Sequence, residues 1–92
     1  MKSSNKALTS KVIFSFHAPD AERVCVAGTF NGWDLHRDPL KKNTKGQWKI
    51  VKYLEPGTYE YRFVVDGVWR DDTSNASRRS NPYGGENCIL DV

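Results

Sequence analysis

The chain has 92 residues and a net charge of +3, which allows one domain with a two-layer core and leaves no room for a second. Aromatic residues make up 12% of it, and β-branched and aromatic residues dominate the apolar set, so the composition predicts an all-β domain. The sequence holds no secretory signal and no run near the ~18 apolar residues of a membrane-spanning helix, so we expect a cytoplasmic protein without a membrane partner.

The cysteines and histidines indicate no metal or redox chemistry. Cys25 and Cys88 lie far apart, each in a predicted strand and without CxxC spacing, so buried free thiols are expected rather than a disulfide. His17 and His36 belong to no Cys/His cluster, and no zinc pattern can be assembled from them. We therefore expect neither a metal site nor a cofactor.

The first part of the chain reads as a tail, two strands and a turn. Residues 1–10 are polar and aperiodic, which predicts a disordered tail before a module that spans residues 11–92. The segment KVIFSFHAP alternates apolar and polar side chains and predicts the first strand. The segment RVCVAG, residues 23–28, predicts a short second strand, and Asn31 and Gly32 form a turn after it.

The second part continues with short strands separated by turns. GQWKIVKYL predicts a third strand, and GTYEYRFVVDG predicts a fourth that ends in a tight hairpin turn at Asp66 and Gly67. VWRDD returns from that turn, residues 73–86 form a polar loop, and NCILDV closes the chain. This spacing predicts an immunoglobulin-like β-sandwich of about six to eight short antiparallel strands, with closure into a barrel as the alternative.

Strand alternation explains one of the three tryptophans. Trp48 is in phase with Ile50 on a strand, so it belongs to the expected core. Trp33 and Trp69 each follow a turn and are not required by that core, and exposed indoles on a small domain mark an interaction surface. The expected core residues are Phe14, Phe16, Val24, Val26, Trp48, Ile50, Tyr61, Phe63, Val65 and Leu90.

The polar residues near the two unexplained indoles favour a sugar over a nucleic acid. Nucleic-acid bases and sugar rings both pack on indole faces, but single-stranded nucleic acid also needs a basic track. Arg62 lies just before the Asp-Gly turn and Asn87 opens the last strand, and an Asn side chain both donates and accepts hydrogen bonds. Because the same surface also carries aspartates, among them Asp34 and Asp71, the residues indicate a neutral ligand and no nucleic-acid partner.

Three segments together resemble a known family. VCVAGTFNGWD, GQWKIVKYLEPGTYEYRFVVDGVW and NPYGGENCILDV are similar to the family-48 carbohydrate-binding module, over about residues 11–92. This family includes the glycogen-binding domain of the AMP-activated protein kinase β subunit and the N-terminal domains of isoamylases and branching enzymes. The resemblance implies non-catalytic binding of an α-1,4-linked glucan such as glycogen, starch or a maltooligosaccharide.

The resemblance also implies which residues touch the sugar. By position, Trp33 and Trp69 match the two tryptophans that stack on glucose rings in the kinase-type modules. Arg62 matches a lysine that donates hydrogen bonds to sugar hydroxyls there, and it keeps donors and charge while changing their geometry. Asn87 matches the family's asparagine before the last strand.

Two positions depart from the kinase-type pattern. Tyr83 stands where the family has a leucine that enters the curve of the glucan, and Gly85 stands where it has a threonine that touches sugar. Tyr83 either supplies a third aromatic platform or covers the loop, and both interpretations stay open at this point.

Two other functional classes were weighed against glucan binding. Paired carboxylates can cleave glycosides, but Asp71 and Asp72 are adjacent in sequence, are expected on a solvated turn, and belong to a domain too small for a deep pocket. The second alternative is a protein-interaction module that associates with a glycogen- or starch-metabolising enzyme or kinase without binding sugar itself, because aromatic anchors are also typical of protein hot spots.

Overall fold

A computed structural model describes residues 8–75, 77–81 and 85–92 of the chain. No α-helix occurs among these residues, and none of their helical turns is long and apolar enough to cross a membrane. A single turn of 3-10 helix, Thr29–Asn31, interrupts the strands. The strands are β1 (Ser10–His17), β2 (Val24–Gly28), β3 (Lys41–Lys42), β4 (Gln47–Leu54), β5 (Thr58–Val65), β6 (Val68–Arg70), β7 (Arg78–Ser80) and β8 (Glu86–Asp91).

The strands form two antiparallel sheets. The three-stranded sheet has the order β1-β4-β3, and the five-stranded sheet has the order β2-β5-β8-β7, with β6 also paired to β5. Because Tyr61 of β5 pairs with both Gly28 and Cys88, β8 lies on the edge of β5 opposite to β2, and β6 continues along that same edge. The predicted antiparallel β-sandwich is confirmed.

The predicted disordered tail, residues 1–10, lies largely outside the described residues and stays a prediction. The first strand begins at Ser10, one residue before the predicted start of the module.

The core fills the space between the two sheets, because each strand directs alternate side chains to that side. Of the expected core residues, those with less than a tenth of their surface exposed are Phe14, Val24, Val26, Trp48, Tyr61 and Phe63. The remaining four pack against them in partly buried positions, and these are Phe16, Ile50, Val65 and Leu90. Both cysteines are buried free thiols, as predicted.

A second, smaller apolar cluster lies on the outer face of the five-stranded sheet. Cys25, Ala27 and Val64 are buried there, although strand periodicity directs them away from the core. Strand β2 is therefore buried on both faces. This cluster was not predicted. It is an apolar patch on the outer face that another side chain has to cover.

Two tight turns position the residues on that face. At the end of β2, a Cβ atom on Gly28 would lie 2.5 Å from the backbone oxygen of Glu60, so only glycine allows this approach to β5. The hairpin between β5 and β6 turns at Asp66 (φ 50°) and Gly67 (φ 83°), as predicted. The Asp66 carboxylate also accepts the backbone N–H groups of Glu22 and Arg23, at 2.9 and 2.8 Å.

Candidate functional site

Four of the five predicted site residues lie on the outer face of the five-stranded sheet, which we call the binding face. Arg62 of β5 points there in alternation with core residues, and Trp69 of β6 is opposite Val64 of β5. Asn87 of β8 lies next to Arg79 of β7. Trp33 reaches the same face from the turn after β2. The fifth predicted residue, Tyr83, lies outside the described residues.

Trp33 is half-buried, because its indole covers the second apolar cluster of Cys25, Ala27 and Val64. The expectation that the packing of the domain does not require Trp33 is therefore wrong in part. It assumed that β2 buries only one face, whereas this strand buries both.

The backbone of Trp33 is in the left-handed region, with φ at 60°. Its N–H donates to the Gly28 carbonyl at 2.9 Å and closes the turn. A left-handed conformation is unfavourable for any residue with a Cβ, so a bulky side chain at this position indicates a use for that side chain.

Trp69 is more exposed than Trp33, with 39% of its surface accessible. The centroids of the two indole rings are 6.3 Å apart, and their planes are inclined by 62°. The two rings therefore form an angled corner and do not present one flat platform.

Arg62 is held beneath Trp69. Its guanidinium carbon lies 5.8 Å from the centre of the Trp69 ring, within the range of a cation–π contact. Its Nη2 forms an ion pair with Asp71 at 3.1 Å. Within the described part of the chain, the Arg62 Nε atom is buried and has no hydrogen-bond partner. The side chain is thus fixed in place by an aromatic ring and a carboxylate.

Asn87 is buried in a polar network that sequence reasoning missed. Its Nδ2 donates to Glu60 Oε1 at 3.0 Å, and its Oδ1 accepts a hydrogen bond from Asn81 Nδ2 at 3.1 Å. The other oxygen of Glu60 accepts from Arg79 at 2.9 Å. Glu60 stands two residues before Arg62 on the same strand, so alternation alone would have placed it on this face.

Gly85 leaves space beside these polar residues. A Cβ atom built on it would lie 3.4 Å from Asn81 Nδ2 and 3.7 Å from Arg62 Nη1, both ordinary contact distances. A small side chain at position 85 would therefore fit and would project toward the binding face.

The charges on the binding face are balanced locally. Arg62 is paired with Asp71, and Arg79 is paired with Glu60. This arrangement offers hydrogen-bond donors and acceptors without a net field for a charged ligand.

The two adjacent aspartates have structural partners. Asp72 is buried, which corrects the expectation of a solvated turn, and it accepts hydrogen bonds from the Tyr61 hydroxyl at 2.6 Å and from Ser74. Burial, reinforced by the nearby Asp72, raises the pKa of Tyr61, and a hydrogen bond from Asn75 opposes this.

The described residues also contain no group of three or more His, Cys, Asp and Glu side chains that could hold a metal ion.

Comparison with known proteins places the chain in one family. The family model described as the glycogen recognition site of AMP-activated protein kinase matches residues 10–92, in agreement with the resemblance noted above. Protein FLOURY ENDOSPERM 6, chloroplastic, of Oryza sativa subsp. japonica is 33% identical over 90 residues, which cover 97% of this chain and 16% of that protein. The 1,4-alpha-glucan branching enzyme GlgB of Methylococcus capsulatus is 36% identical over 75 residues, 79% of this chain and 10% of the enzyme.

A third relative is also much longer than this chain. Protein PTST homolog 2, chloroplastic, of Arabidopsis thaliana is 40% identical over 70 residues, 76% of this chain and 13% of that protein. The chain thus spans about a sixth or less of the length of these relatives. It belongs to the family of glycogen recognition sites of AMP-activated protein kinase and is a non-catalytic carbohydrate-binding domain.

Proposed function

We propose that this domain binds α-1,4-linked glucans by stacking glucose rings on Trp33 and Trp69, with polar contacts from Arg62 and Asn87. The observation that carries the proposal is the indole pair, inclined by 62° at a centroid distance of 6.3 Å on one face. An α-1,4-linked chain curves, so successive glucose rings face in different directions, as the two indoles do. A β-1,4-linked chain is a flat ribbon and suits coplanar rings.

The balanced charges support a neutral ligand. Both arginines on this face already have a carboxylate within 3.1 Å, so neither is an unpaired cation for a phosphate. Several relatives are 1,4-alpha-glucan branching enzymes, which supports the linkage proposed for this chain.

The polar residues have different capacities for sugar hydroxyls. An asparagine amide has two N–H donors and two acceptor lone pairs, and Glu60 and Asn81 use one of each at Asn87. Counting the partners among residues 8–75, 77–81 and 85–92, Asn87 therefore keeps one donor and one acceptor, while Arg62 only donates. The role of Tyr83 as a third platform and the cytoplasmic location both stay predictions.

The test is a calorimetric titration of the domain with maltoheptaose, with cellohexaose as the linkage control. We expect binding of maltoheptaose and little binding of cellohexaose. Equal binding of the two sugars, or displacement of maltoheptaose by low concentrations of single-stranded DNA, would refute the proposed ligand class.

A second candidate function is docking on a glucan-metabolising enzyme with an acidic surface, and it is favoured by the outer face of the three-stranded sheet. Ile13 and Val51 are cross-strand partners there and are 56% and 45% exposed, and Tyr53 is 65% exposed. Lys11 and Lys49 lie on the same face, so an acidic partner fits it better than a second copy of this chain.

Charge reversal distinguishes this docking from sugar binding. We expect Lys49→Glu to weaken co-elution with a purified 1,4-alpha-glucan branching enzyme and to leave maltoheptaose binding unchanged, because Lys49 lies on the opposite sheet from Trp33. Lys45→Glu, in an exposed turn outside this face, is the control. Unchanged co-elution of the Lys49 variant, or failure of the unmodified domain to co-elute at all, would exclude this surface.

A further inference from the structure

A buried chain of polar contacts connects the Trp33 turn to the opposite sheet. It begins at Lys52 of β4, in the three-stranded sheet, whose Nζ contacts Asp38 Oδ1 at 2.8 Å. The second oxygen of Asp38 accepts a hydrogen bond from Asn31 Nδ2 at 2.7 Å. Asn31 is the last residue of the 3-10 turn and lies two residues before Trp33. The contacts therefore cross the sandwich from one sheet to the turn that carries a predicted ligand residue.

The Asn31 side chain also forms hydrogen bonds with the backbone of the turn. Its Nδ2 also donates to the Val26 carbonyl at 3.1 Å, and its Oδ1 accepts the Gly28 N–H at 3.0 Å. A carboxylate and a carbonyl can only accept hydrogen bonds, so Asp38 and the Val26 carbonyl together hold Nδ2 and leave Oδ1 facing the Gly28 N–H. The sequence predicts only that Asn31 forms a turn. Its φ is not positive, so the turn needs its buried side-chain amide and not a left-handed backbone.

The turn is short, and its other contacts include the packing of Phe30 against the core and a hydrogen bond from the Glu60 N–H to Thr29 Oγ1. The Trp33 N–H donates to Gly28, and Lys52 lies 5.7 Å from the ring of Phe30, within the turn. Because Trp33 has a left-handed backbone, its indole direction depends on this turn remaining closed. The direction of the Trp33 indole thus depends on its packing against Cys25, Ala27 and Val64 and also on the contacts that reach the turn from the three-stranded sheet.

We propose that Asp38 and Lys52 are positioning residues that hold the Trp33 indole at its angle to Trp69. The ligand part of this inference rests on the proposed glucan function. Neither residue touches the binding face; each acts through Asn31. The Lys52 and Asp38 side chains are 23% and 10% exposed, and removal of either one leaves the other unpaired, so each variant should also lose stability. The Trp33 signal separates the positioning role from that loss.

The experiment combines indole NMR with maltoheptaose titration. Each tryptophan gives one indole N–H signal, so the three residues report separately, and single tryptophan substitutions assign the signals. The test variants are Asp38→Asn, which keeps the shape, and Lys52→Met, which keeps the stem beside Phe30. Lys52→Arg keeps the charge and serves as the conservative rescue.

The control is Trp48→Phe, which removes a hydrogen bond from the Trp48 indole to the Ala18 carbonyl (2.8 Å) in the three-stranded sheet, away from the turn. It lowers stability without touching the polar contacts described here, so it shows what a purely structural change does. All affinities are measured at a temperature where each variant is fully folded.

We expect Asp38→Asn and Lys52→Met to shift or broaden the Trp33 signal and to leave that of Trp48 in place. Their dissociation constants for maltoheptaose should rise about three- to ten-fold. This rise is expected if only about a third to about a tenth of the molecules have a closed turn, because only these bind the sugar. Lys52→Arg should resemble the unmodified domain, and Trp48→Phe should change neither the Trp33 signal nor the affinity.

The inference is overturned if Asp38→Asn and Lys52→Met lower the denaturation midpoint as Trp48→Phe does, while the Trp33 signal and the affinity stay unchanged. If the unmodified domain binds no maltoheptaose, the proposed function fails. The Trp33 signal of the same variants then still decides whether Asp38 and Lys52 position the indole.

Discussion

Trp33 combines two roles that a sequence pattern cannot separate. Its place after a tight turn correctly indicated the surface on which it lies, but its packing on Cys25, Ala27 and Val64 was not predicted. The run VCVAG is apolar without interruption, which is typical of a strand buried on both faces, so the signal was present in the sequence but was not used. Truncation of Trp69 should therefore cost less stability than truncation of Trp33.

Replacing Trp33 by alanine and by glycine separates the indole from the backbone. Both variants lose the same side chain, and both should lose about 1–3 kcal/mol of glucan binding, on the scale of base stacking on aromatic residues. Because the backbone is left-handed at this position, Trp33→Gly should be more stable than Trp33→Ala by about 1 kcal/mol. Urea denaturation and maltoheptaose titration of both variants measure the two quantities; affinities that follow stability would contradict a stacking role.

Gly85 allows a test by gain of binding. A Cβ atom fits there without a clash, so Gly85→Thr should add a hydroxyl at the binding face and strengthen glucan binding by about 0.5–1.5 kcal/mol, the value of an ordinary hydrogen bond. Gly85→Ala is the control, because it adds the Cβ without the hydroxyl. Equal binding of the threonine and alanine variants at unchanged stability would show that the side chain at position 85 does not donate to the sugar.

At the scale of elements, the strands with clear alternation were predicted and the polar ones were not. β3 and β7 consist of Lys41–Lys42 and Arg78–Ser80, and both fell within predicted polar loops. These short strands have no apolar face, so their structure comes from pairing with β4 and β8 and not from a local signal. The network of Asn87 with Glu60 and Asn81 was missed for a different reason: alternation gives the face of Glu60, but not its hydrogen-bond partner on another strand.

This network changes what is expected for Asn87. Asn87→Ala would remove a buried amide that donates to Glu60 Oε1 and accepts from Asn81 Nδ2, so the free energy of unfolding should fall by about 1–3 kcal/mol in addition to the weaker glucan binding. Thr58→Ala is the control on the same strand pair, because it removes an exposed hydrogen bond to Asp91 and should cost less than about 0.5 kcal/mol. Equal midpoints of denaturation for the two variants would mean that the network does not stabilise the β5–β8 pair.

For the whole molecule, the sequence was sufficient to predict two packed antiparallel sheets and the shared face of Trp33, Trp69, Arg62 and Asn87. It could not predict how these side chains are held, because the contacts of Asp71, Glu60 and Asp38 form only when turns and neighbouring strands bring the side chains together. Alternation gives the direction of a side chain, whereas ion pairs and buried amides depend on the packed structure.

The stability of the whole domain should depend on alkaline pH through Tyr61. Its pKa lies above the ordinary value of 10.0 because of burial, so the folded state holds this proton more tightly than the unfolded state. The corresponding stabilisation is present below pH 10 and is lost as the pH rises through the higher pKa of the folded state. Tyr61→Phe should remove this part of the loss of stability at alkaline pH. The urea midpoints of both proteins between about pH 8 and about pH 11, a range around the ordinary tyrosine pKa, measure the difference. Parallel curves for the two proteins would contradict the assignment.

The central claim is that Trp33 and Trp69 are the sugar platform and Trp48 is not. The most direct measurement follows the three indole N–H signals while maltoheptaose is added, with cellohexaose in a parallel titration. We predict that maltoheptaose shifts the signals of Trp33 and Trp69 along one binding curve and leaves the buried Trp48 unmoved, and that cellohexaose shifts none of them. Unmoved signals of Trp33 and Trp69 at saturating maltoheptaose, or equal shifts with cellohexaose, would contradict the claim.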